Sequence, residues 1–103
     1  MSLDIKPNHF QELQTILNKY AADCAVVAFG SRVKGTARQY SDLDLCIKGK
    51  EALGLKRLSE LQDAFSESNI PYKVDIIDWH TISESFRQIE EENKVVLKEL
   101  HHS

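Results

Sequence analysis

The chain has 103 residues, with thirteen Lys and Arg against sixteen Asp and Glu and a formal charge of −3. That length fits a single domain over 1–103, and its 42% apolar content is enough for one modest core, which argues against disorder. The weak acidity argues against direct nucleic-acid binding, and no apolar run approaches the roughly 20 residues that cross a bilayer.

The N-terminus MSLDIKPNHF lacks the charged start and apolar stretch of a signal peptide, so a cytoplasmic protein is expected. Phe10, Leu13, Ile16, Leu17 and Tyr20 recur three and four apart, an apolar stripe on a helix, with Pro7 suited to its first turn. Cys24 to Phe29 is a short continuous apolar run ending at Gly30, the pattern of a central strand. Leu43, Leu45 and Ile47 alternate with Asp42, Asp44, Cys46 and Lys48, a period-two strand. Both cysteines lie in apolar runs, and two are too few for a disulfide scaffold, so buried reduced thiols are expected.

Leu55, Leu58, Leu61 and Phe65 predict a second helix from about Leu53 to Ser68, stopped by Asn69-Ile70-Pro71. Tyr72 to Trp79 reads as a third strand, and Ile82, Phe86 and Ile89 as a third helix ending near Glu92-Asn93. Residues 94–100 fit either an extension of that helix or a short last strand, and His101-His102-Ser103 reads as a tail or tag remnant. The class is α/β (α+β), a small mixed sheet flanked by helices.

The chemistry concentrates between Gly30 and Leu45. A strand ends in Gly30-Ser31, a basic excursion follows, and the next strand opens with Asp42-x-Asp44. Residues two apart on a strand share a face, with Cα atoms about 6–7 Å apart, so both carboxylates project together. Like charges at that range raise each other's pKa, so a cation is expected between them. Oxygen-only ligation points to Mg²⁺, with Mn²⁺ as a substitute. Asp75 shares a strand face with Lys73 and Ile77, and it completes the cluster if the second and third strands are neighbours. Three carboxylates and two Mg²⁺ leave room for more anion, which a nucleoside triphosphate supplies. Two metals about 3.5–4 Å apart are the arrangement for in-line displacement at phosphorus.

In that scheme Gly30 lets the backbone approach the phosphates closely. The Ser31 hydroxyl and the N–H groups after it face them, and Arg32, Lys34 and Arg38 offset their charge. The other candidates have structural readings. Asp78, on the opposite strand face, accepts hydrogen bonds near the last helix; Trp79 and Phe86 belong to core or interface. His9 and His80 lack ligand spacing, and Lys48, Lys50 and Glu90 to Glu92 are solvated charges. Ser41 caps or orients the loop before Asp42 or touches substrate, at even weight.

Gly30-Ser31, ten residues, then Asp42-x-Asp44 resembles the signature of the DNA polymerase β-like nucleotidyltransferase superfamily. The fuller text, Gly30-Ser31-Arg32, Lys34-Gly35, Arg38 and Ser41-Asp42-Leu43-Asp44-Leu45, is similar to its minimal nucleotidyltransferase branch, and the resemblance covers nearly the whole chain. The resemblance implies ATP as substrate, two metals held at Asp42, Asp44 and Asp75, and a helical HEPN-type partner encoded adjacently. In such pairs the transferase is the antitoxin and places AMP on a tyrosine of the toxin. The chain has no length left for a separate acceptor-binding domain, which suits a partner that completes the site. Asp75 is the candidate general base. Two alternatives stand beside this reading: a non-catalytic antitoxin that occludes its partner, and the catalytic subunit of a two-component small-molecule nucleotidyltransferase. The complete carboxylate set disfavours decay of the site.

Overall fold

The computed structural model describes residues 5–30, 42–92 and 94–98. Helix α1 spans Pro7–Tyr20, with the proline in its first turn, where its missing N–H costs nothing. Strand β1 is Ala25–Phe29 and β2 is Leu43–Lys48. Helix α2 covers Gly54–Ser66, β3 is Val74–Asp78, and a 3₁₀ turn takes Trp79–Thr81. Helix α3 is Glu84–Glu92, and β4 is Val95–Lys98, so the ambiguous C-terminal segment holds a strand.

The four strands form one sheet in the order β3-β2-β1-β4. The β1 strand pairs antiparallel with both β2 and β4, while β2 and β3 run parallel. Both faces of β1 are covered by packed side chains, which is why Cys24 to Phe29 reads as an unbroken run. One face carries Val26, Ala28, Leu43, Leu45, Ile47 and Val74 against Leu13 and Leu17 of α1 and Leu61 and Phe65 of α2. The other face carries Val27, Phe29 and Cys46, with Ile77, Trp79 and Ile82 packed on them. Both cysteines are buried and neither is in a disulfide, as expected.

Two expectations need correction. Leu55, assigned to the apolar stripe of α2, is 82% exposed. At 3.6 residues per turn it stands about 120° round the axis from Leu61, and Leu53, just ahead of the helix, packs on the core instead. Lys48, read as a solvated charge, has its ammonium 4.4 Å from the centre of the Trp79 ring, and the Arg87 guanidinium lies 4.5 Å from that centre. Arg87 also donates through Nε and Nη2 to the Trp79 carbonyl, tying α3 to the turn after β3. No helix among the described residues is long and apolar enough to cross a membrane.

Candidate active site

The β1–β2 pair sets Phe29 opposite Asp44, and the parallel β2–β3 pair sets Asp44 opposite Asp75. Alternation along β2 sends Leu43 and Leu45 into the helix-covered core and Asp44 and Cys46 to the other face. Asp42, exposed just ahead of β2, is two residues from Asp44, close enough for its charge to act on the Asp44 carboxyl. The strand order therefore brings Asp42, Asp44 and Asp75 together at one end of the sheet, as their positions in the sequence suggest.

The electrostatics agree with that proximity. Asp44 is half-buried, and its carboxyl is pushed up from the ordinary value of 3.8, first by desolvation and then by the charges of Asp75 and Asp42. Asp75 has a counter-charge of its own: the Lys73 ammonium stands 3.2 Å from Asp75 Oδ1. Sequence reading placed these two on one strand face, and the i, i+2 spacing was the available signal for the pair.

Gly30 closes the strand with φ +85°, in the left-handed region that a side chain resists. A Cβ at this position would run into Asp44 Oδ2 and reach within 3.3 Å of Asp44 Cγ. The glycine thus lets the backbone lie directly against the carboxylate. Ser31, Arg32, Lys34, Arg38 and Ser41 lie outside the described residues.

The donor set suits a hard divalent cation, because it is all oxygen, anionic, and strained by like charge at Asp44. Among the described residues, no three His, Cys, Asp or Glu side chains are gathered closely enough to hold a metal ion. His80 Nε2 lies 2.7 Å from the Gly49 carbonyl. His9 meets the Tyr72 ring edge-on. Asp78 is 2% exposed and faces away from the cluster, accepting from the backbone N–H groups of Leu53 and His80.

The family described as polymerase beta, nucleotidyltransferase matches residues 11–101. The chain belongs to that family. It is 48% identical over 97 residues to the probable protein adenylyltransferase MntA of Haemophilus influenzae, an alignment covering 94% of this chain and 85% of that protein. Among solved structures, a toxin–antitoxin complex with AMP-PNP superposes with a TM-score of 0.75 at 21% identity, covering 85% of this chain and 71% of that one. A second, the MNT antitoxin with the tri-AMPylated Shewanella oneidensis HEPN toxin, gives 0.69 at 18% identity, covering 90% and 71%. At those identities the two structures speak for the fold.

Family membership gives the Gly30–Asp44 contact a measurable consequence. Gly30→Ala should cost about 1–2 kcal/mol through the left-handed backbone alone. Its methyl group should also displace the Asp44 carboxylate. A thermal melt paired with a nucleotidyl-transfer assay checks both; a variant with parental transfer would show that the position of Asp44 is not critical.

Proposed function

We propose that this protein transfers AMP from ATP to a tyrosine hydroxyl of a helical HEPN-type partner, and that it acts in the cytoplasm as the antitoxin of the pair. The single observation that carries the reading is the register of Asp44 beside Asp75, with the Asp42 charge acting on Asp44 and Gly30 against Asp44. The 48% identity to a probable protein adenylyltransferase supports the acceptor class. The AMPylated HEPN toxin beside a structurally similar antitoxin supports the partner.

The step is an in-line displacement. The phenol oxygen attacks the α-phosphorus, a phosphorus–oxygen bond forms to tyrosine, and the bond to the β-phosphate breaks with release of pyrophosphate. Asp75 takes the phenolic proton as general base. Asp42 and Asp44, with Asp75, would hold Mg²⁺ or Mn²⁺. Such an ion, when bound, supplies charge neutralisation for the triphosphate and the departing pyrophosphate. Gly30 lets the backbone lie against Asp44 where the phosphates would approach, and Ser31, Arg32 and Lys34 would hold them.

Purified partner incubated with this protein, ATP and Mg²⁺, then weighed intact, tests the proposal. Addition of one or more AMP groups is the expected result. Neutralisation of the toxin with no mass change would favour occlusion, and transfer only to a small molecule would favour the two-component enzyme. Ser31→Ala should slow transfer on the order of 10²-fold, the usual cost of one donor to developing charge, with the fold unchanged. An unaltered rate would move the phosphates onto Arg32 and Lys34. Chelation should weaken ATP binding, since bare phosphates would face Asp42 and Asp44; calorimetry with and without chelator reads this directly.

A further inference from the structure

The parallel β2–β3 ladder extends past the first paired residues, because the Leu43 N–H donates to the Lys73 carbonyl at 2.9 Å. With Leu43 beside Val74 and Asp44 beside Asp75, this carries Lys73 alongside Asp42. Asp44 on β2 faces Asp75 on β3, and Asp42 and Lys73, the residues just ahead of Leu43 and Val74, stand one step before them. Three of these side chains are negative, and the fourth is an ammonium 3.2 Å from Asp75 Oδ1.

We propose that Lys73 is the positioning residue for Asp75: its ammonium fixes the direction of that carboxylate beside the Asp42–Asp44 pair and is the built-in counter-charge of the cluster. The inference rests on the reading that Asp75 serves the transfer. The Lys73 side chain is 67% exposed and that of Asp75 37%, so as a surface ion pair it contributes little to stability. Its effect is local. The ammonium offsets one of three negative charges and fixes the direction of one carboxylate. Fixing a reacting group in a productive orientation is worth more to rate than to folding.

Lys73→Met and Lys73→Arg provide the test, with Mn²⁺ alone as the probe on the nucleotide-free protein. Removing a positive charge from beside the carboxylates should tighten Mn²⁺ binding roughly three- to tenfold at low ionic strength. The gain should shrink in high salt, where exposed charges are screened. In transfer assays with the partner, kcat for Lys73→Met should fall roughly tenfold while KM for ATP stays level or drops. Lys73→Arg should return both readings towards the parent. Melting temperatures of both variants should match the parent. A merely structural lysine would not yield a variant that binds the ion more tightly yet reacts more slowly.

Parental Mn²⁺ affinity, parental kcat, or failure of Lys73→Arg to rescue would each overturn the proposal. Asp75→Asn separates this outcome from the larger one. If Asp75→Asn is inactive while Lys73→Met behaves as the parent, only the positioning role fails. If Asp75→Asn transfers AMP at the parental rate, the assignment of Asp75 to the chemistry fails with it.

Discussion

Asp44→Asn is expected to abolish transfer and leave the metal-free fold as stable as the parent or more so. The substitution keeps the volume of the side chain and removes one of three crowded charges. A neutral amide is a poor Mg²⁺ ligand beside a triphosphate. The rate should fall by at least 10²–10³-fold, roughly the scale of one lost fixed contact to transition-state charge. The stability prediction follows from the raised carboxyl of Asp44, whose causes are burial and then Asp75 and Asp42. A carboxyl that holds its proton more tightly in the folded than in the unfolded state favours folding most below the unfolded pKa, here 3.8. That advantage is lost as pH rises through the folded pKa. At neutral pH the parent carries the full cost of the ionised group, and the asparagine variant does not. Melts at pH 7 should place the variant level with or above the parent, with any gap closing as the pH falls below about 4. Added Mg²⁺-ATP should raise the melting temperature of the parent more than that of the variant, because ligand stabilisation follows affinity. A variant that melts well below the parent without metal while retaining transfer would make Asp44 structural.

The site was legible wherever strand alternation carries the information. Two carboxylates at i and i+2 must share a face, and the only inference beyond the local sequence was that β2 and β3 are neighbours. Their parallel pairing places Asp44 beside Asp75 with no further assumption. The continuous apolar run of β1 likewise announced a strand covered on both faces. Residues 94–100 were not legible, because Val95, Val96 and Leu97 are too short a run to separate period 2 from period 3.6. The free edge of β1 decides the matter, since pairing with Val95–Lys98 satisfies its backbone groups. Leu55 was misplaced because a leucine near a helix start joins a stripe by spacing, whether or not a surface stands opposite it. The stacking of Lys48 and Arg87 on Trp79 depends on the 3₁₀ turn after β3, which no local periodicity encodes.

Asp78→Ala should show the reverse behaviour, a large loss of stability with chemistry retained. Asp78 ends β3 on the face opposite Asp75, and its side chain is the shared acceptor of two backbone donors from different elements. Oδ2 accepts from the Leu53 N–H at 2.8 Å, which fixes the entry to α2. Oδ1 accepts from the His80 N–H at 3.0 Å, which caps the 3₁₀ turn. With the residue only 2% exposed, truncation leaves both donors and a small void. Each unpaired group costs about 1–3 kcal/mol, less where water can reach it, so a total of about 2–4 kcal/mol is expected. In a domain of this size that lowers the melting temperature by roughly 10–20 °C. Asp78→Asn keeps an oxygen for one donor and should lose about half as much. Assayed well below its melting temperature, either variant should transfer AMP near the parental rate, because the Asp42–Asp44–Asp75 side of the sheet is unchanged. The decisive comparison pairs melting temperature and transfer rate for Asp44→Asn and Asp78→Ala. One variant should be stable and inactive, the other unstable and active. A folded Asp78→Ala protein without transfer would place this buried carboxylate in the reaction, and the division between the two faces of β3 would have to be redrawn.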